Sequence, residues 1–175
     1  MIAGNFTAPG LVLLTGLPGA GKTTVAARLA GLVEADHFES DAVRFALAGR
    51  PTYTSAESAK VFAEIERRAA ASLEGGRVAI VDATNLTRRD RRRFVRLAAR
   101  RGVTLVVVRI VAPDDVIRRR LDGPRAGASE ATVAIYEQMR PRVQPVAGPA
   151  VVIDTRFPME PSLALIVRML GSTDS

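Results

Sequence analysis

Apolar and polar positions follow two different rhythms along this chain. Short, continuous runs of apolar and largely β-branched residues occur at Leu11–Thr15, Val78–Asp82, Val103–Val111 and Ala150–Asp154, with a weaker one at Ala35–Ser40. Runs of this length without polar alternation predict strands buried on both faces, as in a parallel sheet. Between them apolar residues recur every three or four positions: Val25, Leu29, Leu32 and Val33; then Val61, Ile65, Ala69 and Leu73; then Phe94, Leu97 and Ala98. That spacing lines one face of a helix. Strand and helix therefore alternate, which predicts an α/β fold with helices on both faces of the sheet. Boundary residues agree with this reading. Thr87 stands three residues before Asp90 as in a capping box, Gly102 follows the helix opened there, and Ser129 is placed to cap a later one.

At 175 residues the chain is expected to form one domain over 1–175 around one substantial core. No apolar run approaches the roughly 20 residues that span a bilayer. The opening "MIAGNFTAPG" lacks the pattern of a secretory signal, and there are no cysteines, so a cytoplasmic setting without disulfides or a thiolate metal site is expected. Nothing in the pattern calls for a membrane or an obligate protein partner. The net charge of +7 rests on 25 basic residues, of which only Lys22 and Lys60 are lysine. A chain-wide preference for arginine accounts for this more simply than a phosphate-polymer surface does. His37 is the single histidine and makes no metal site alone.

The chemistry concentrates where the first strand ends. "GLPGAGKT", Gly16 to Thr23, fits the phosphate-loop pattern G-x-x-x-x-G-K-[ST], with an apolar strand before it and an amphipathic helix after. Glycines let successive backbone N–H groups approach a polyphosphate, and the helix that follows aims its positive end at the same anion. Lys22 is placed against the β and γ phosphates and the Thr23 hydroxyl against Mg²⁺, so ATP and Mg²⁺ are the expected cofactors, with GTP left open. The nucleotide-binding set is Gly16, Pro18, Gly19, Ala20, Gly21, Lys22, Thr23 and Thr24, with Arg120 added from farther along the chain.

Strands of such a sheet end at one edge, so residues just past each strand converge on the bound phosphates. Asp41 and Arg44 follow the second strand in "ESDAVR"; Asp82, Thr84 and Asn85 follow the third in "VAIVDATN". A carboxylate there can take the proton of an attacking hydroxyl, and an arginine three residues along a helix can lie beside it, which points to a kinase. Asp82 is the expected second metal ligand. Asp41 could also act as a helix cap, and Asn85 could simply tie its turn. Beyond the fourth strand, "DDVIRRRLDGPRAGAS" reads as a helix and loop over the triphosphate, with Arg120 and Arg125 as charge-neutralising lid residues and Arg118 and Arg119 as solvated ones. In "TRRDRRRF", Arg88 and Arg89 sit at the rim of the same edge where an anionic acceptor would meet them, while Arg91 to Arg93 read as solvated.

"GLPGAGKTT", "SDAVR", "DATN" and the arginine lid resemble, in order and spacing, the AAA-type phosphate-loop kinases related to the 5′-kinase domain of phage and bacterial polynucleotide kinases. The resemblance runs from about Leu11 to Thr155. It implies a three-layer α/β/α P-loop NTPase fold with a parallel five-stranded sheet in the order 2-3-1-4-5 and a helical lid over about 118–140. It also implies Asp41 as general base on a 5′-hydroxyl, Arg44 on an acceptor phosphate, Lys22 and Thr23 on ATP and Mg²⁺, and Arg120 and Arg125 as lid arginines. The acceptor implied is a nucleotide or single-stranded polynucleotide 5′-hydroxyl. Gluconate-type kinases, antibiotic phosphotransferases and zeta-type toxins share the arrangement, so a small-molecule kinase and a nucleotide-driven switch without an acceptor stand as alternatives.

Overall fold

The computed structural model describes residues 8–50, 52, 54–123 and 131–171. Five strands form one parallel sheet: β1 (Gly10–Thr15), β2 (Ala35–Glu39), β3 (Val78–Asp82), β4 (Thr104–Val111) and β5 (Val151–Asp154). Their order is β2-β3-β1-β4-β5, as expected. The helices between them are α1 (Lys22–Ala30), α2 (Ser40–Ala48), α3 (Ser55–Glu74), α4 (Arg88–Arg101), α5 (Asp114–Asp122), α6 (Val133–Met139) and α7 (Glu160–Gly171), with a short 3-10 turn over Arg140–Arg142. None of the described helices is long and apolar enough to cross a membrane.

The unbroken apolar run of β1 follows from its central position. Leu11 and Leu13 pack into one core with Val61, Ile65, Ala69, Phe94 and Leu97, whereas Val12 and Leu14 pack into another with Val25, Leu29, Ile117 and Ile166. Successive side chains of a strand point to opposite faces, so a strand with a helical layer on each side must be apolar at every position. All four positions of the α3 stripe, Val61, Ile65, Ala69 and Leu73, are buried. Leu32 departs from its expected place: α1 ends at Ala30, Gly31 follows, and Leu32 beyond it is 46% exposed.

The cap at α4 forms as the sequence indicates. Thr87 Oγ1 accepts from the Asp90 N–H at 3.2 Å, Asp90 Oδ2 accepts from the Thr87 N–H at 3.1 Å, and Gly102 closes the helix at φ 61°. Ser129 lies outside the described residues; α6 is capped by Thr132, whose hydroxyl accepts from the Ile135 N–H.

Candidate functional site

The turn from β1 into α1 is held from below and from the side. Gly16 approaches β4 so closely that an added Cβ would stand 2.5 Å from the Ile110 carbonyl oxygen, and its N–H donates to Thr84 O at 3.0 Å. Gly21, the N-cap of α1, has φ 103°, a conformation that strains any residue with a side chain. Lys22 Nζ donates to Leu17 O at 3.1 Å, which curls the side chain back over the loop. Burial pulls the Lys22 ammonium below its ordinary pKa, and the charges of Asp82, Asp41 and Glu39 oppose that pull.

Two of those carboxylates end neighbouring strands and the third follows one of them. Glu39 and Asp82 are register partners across β2 and β3, and Asp41 lies in the first turn of α2, just past Glu39. Asp82 is 2% exposed and its Oδ2 lies 3.0 Å from His37 Nε2. The sequence set His37 aside; in the fold it buttresses the buried carboxylate. Burial pushes the Glu39 carboxyl up, with Asp82 and Asp41 adding to the rise. Glu39 escaped the sequence reading, although the rule that strand ends converge would have selected it together with Asp41.

A cavity of about 340 Å³ opens over this cluster. Lys22, Thr23, Glu39, Asp41 and Asp82 line it, together with Arg44, Ser58 and Phe62 from α2 and α3 and with Thr87, Ile135, Gln138, Met139 and Arg142 from later in the chain. The structure thus brings Lys22, Thr23, Asp41, Arg44 and Asp82 around one space. Asp41 is the second residue of α2, in its first turn, and Glu39 holds the N-cap position. Asn85 does tie its turn: fully buried with φ 46°, it donates from Nδ2 to Leu14 O at 2.7 Å.

Two arginine assignments change character in three dimensions. Arg120 extends from α5 to the back of the phosphate loop, where Nη1 donates to Gly19 O and Ala20 O at 3.3 Å and to Thr155 Oγ1 at 2.7 Å. Thr155 in turn donates to Ala20 O at 2.8 Å, so Arg120 and Thr155 together brace the loop, and Arg120 is absent from the cavity lining. Arg91, expected in solvent, is 6% exposed. It donates to the carbonyls of Asn85, Leu86, Gln144 and Pro145, because α4 turns this position toward the proline-rich return to β5, where those oxygens satisfy the buried guanidinium. Arg118 and Arg119 pair with Asp114 and Asp115, while the side chains of Arg88 and Arg89 are exposed. Arg125 lies outside the described residues.

Among the described residues no group of three or more acidic or histidine side chains forms a metal cage. One hydroxyl, Thr23, with one buried carboxylate, Asp82, still suits Mg²⁺, which keeps several waters and takes further ligands from substrate phosphates. The donor set fits that ion bound with a nucleotide.

Solved structures resemble this fold along nearly its whole length. The APS kinase of Mycobacterium tuberculosis in complex with AMPPNP and APS superposes with a TM-score of 0.72 at 18% identity, covering 94% of this chain and 99% of that one. A sugar kinase from Janibacter sp. HTCC2649 gives 0.69 at 19% identity, covering 93% and 94%. A gluconokinase from Sinorhizobium meliloti 1021 gives 0.65 at 22% identity, covering 93% and 90%. Among curated proteins, none matches the chain in sequence. The fold is that of phosphate-loop kinases. The AAA domain family model matches residues 11–146, a stretch that contains the phosphate loop, Asp41, Asp82 and the whole cavity lining, and the chain belongs to that family.

Proposed function

We propose that this protein is an ATP-dependent kinase that transfers the γ-phosphoryl group to a hydroxyl of a small acceptor. The observation that carries the reading is the shared cavity: Lys22 and Thr23 of the phosphate loop and the Asp41 carboxylate face one space of about 340 Å³, a size that takes one small molecule. In the reaction Asp41 accepts the proton of the acceptor hydroxyl, and the acceptor oxygen forms its bond to the γ phosphorus. The bond from that phosphorus to the β–γ bridging oxygen breaks, and its electron pair leaves with ADP. Lys22 sets its charge against the one that develops, and Asp82, Asp41 and Glu39 oppose the fall that burial imposes on its pKa. Thr23 and Asp82 would hold Mg²⁺, which when bound neutralises phosphate charge. Arg120 keeps the loop in shape from behind.

Incubation with labelled ATP and a panel of hydroxyl acceptors tests the proposal, with Asp41→Asn as the decisive variant. Transfer should fall by roughly 10²- to 10⁴-fold while nucleotide affinity is retained. A variant with wild-type transfer would overturn Asp41 as base, and a protein that hydrolyses ATP without any acceptor would be a switch. A second reading, transfer to the 5′-hydroxyl of a nucleic acid, draws on the exposed Arg88, Arg89, Arg92 and Arg96, which have no ion-pair partner among the described residues. Labelling of a 5′-hydroxyl oligonucleotide in preference to small acceptors would favour it.

A further inference from the structure

The cations around the cavity are unequally committed. Lys22 faces Asp82, Asp41 and Glu39. Arg44, the arginine that the sequence assigns to an acceptor phosphate, is 7% exposed and donates from Nη1 to Glu57 Oε1 at 2.6 Å, with Ser58 Oγ at 3.4 Å from Nη2. The hydroxyl of Thr52 and Arg44 itself hold the Glu57 carboxyl down at about 2, so Glu57 stays ionised and the Arg44 charge is matched inside the fold. Arg142 differs. It lines the same cavity from the 3-10 turn, is exposed, and has no carboxylate partner among the described residues.

The turn that carries Arg142 is fixed in place. Arg140, two residues earlier, pairs with Asp114 at 3.5 Å on the α5 side. The Val143 N–H donates back to Arg140 O, and the Gln144 N–H donates to Leu86 O at 2.9 Å. Gln144 also accepts the Arg88 N–H on its side-chain oxygen and the buried Arg91 on its carbonyl. A backbone tied on both sides of the residue fixes where the Arg142 side chain starts, at the cavity, so that only the side chain itself has to order when it pairs with an anion. Gln138 and Thr87 add neutral polar groups to the cavity lining, and Phe62, Leu86, Ile135 and Met139 add apolar ones.

We infer that the acceptor hydroxyl belongs to a molecule that also carries a phosphate or carboxylate, and that Arg142 is the specificity-determining residue that binds this anion. The inference rests on the kinase reading above and reassigns the acceptor-binding cation from Arg44 to Arg142. Matched acceptor pairs test it: glycerol against glycerol 3-phosphate, glucose against gluconate, and adenosine against adenosine 3′-phosphate, with ADP release followed for wild type, Arg142→Ala and Arg142→Lys. Losing a charge-assisted pair should raise KM for the anionic member by about 10- to 100-fold in the alanine variant. The loss should lie mainly in KM, and lysine should restore part of it. The phosphate and carboxylate arms show which anion is read. Equal use of neutral and anionic members, or an unchanged KM in Arg142→Ala, would overturn the inference while leaving the kinase standing. Failure of the wild type to phosphorylate any acceptor would overturn both.

Discussion

Glu39 shows how a site designed around anions strains its own acids. Its carboxyl is pushed up by burial first and then by Asp82 and Asp41. A raised folded-state pKa means that ionising Glu39 costs the folded protein stability. That cost is absent when the group is protonated in both states and complete once pH exceeds the raised pKa. Glu39→Gln should therefore raise the thermal midpoint at neutral pH, with the gain shrinking to nothing as pH falls below the ordinary carboxylate range. Thermal melts of both proteins across that pH range check it, and a pH-independent difference would contradict it. Lys22 carries the opposite strain, a buried ammonium that three carboxylates only partly offset.

At the level of elements, α4 does more than cover the sheet. Its inner face supplies Phe94 and Leu97 to the core, its capping box sets where it begins, and Arg91 ties the turn after β3 to the return segment at Gln144 and Pro145. Asn85 O and Leu86 O have other donors in Thr15 and the Gln144 N–H. Arg91 also donates to the carbonyls of Gln144 and Pro145, and its own guanidinium is buried against all four oxygens. Arg91→Leu should accordingly destabilise the protein by roughly 3 kcal/mol, whereas Arg92→Ala on the exposed face should change it by no more than about 0.5 kcal/mol. Urea denaturation midpoints of the two variants measure the contrast, and equal effects would refute the bracing role. Because Arg142 sits on the segment that Arg91 anchors, Arg91→Leu should also weaken acceptor binding.

For the molecule as a whole, the sheet gathers the ends of β1, β2 and β3 beneath one anion-binding turn. A nucleotide that binds only this assembled arrangement must stabilise the fold. AMPPNP with Mg²⁺ at 100 times its dissociation constant should add about 2.7 kcal/mol, and Lys22→Ala should lose most of that gain at the same concentration. Thermal unfolding against nucleotide concentration reads both. Much of this arrangement was legible in the chain. The strands, the α3 stripe, the α4 cap, the phosphate loop and the approach of Asp41 to Lys22 are set by residue periodicity, by turn chemistry and by the rule that parallel strands end at one edge. Periodicity and turn chemistry are local, so the sequence by itself determined those elements, whereas the approach of Asp41 to Lys22 could be read ahead only through the general rule for parallel strands. Only the tertiary structure decided how the arginines are partnered: Arg44 at the cavity with Glu57, Arg91 with backbone carbonyls, Arg120 with the back of the loop, and Arg142 at the cavity without a carboxylate among the described residues. A guanidinium looks the same in any sequence window. Whether its charge is matched depends on partners that only the path of the folded chain brings within reach.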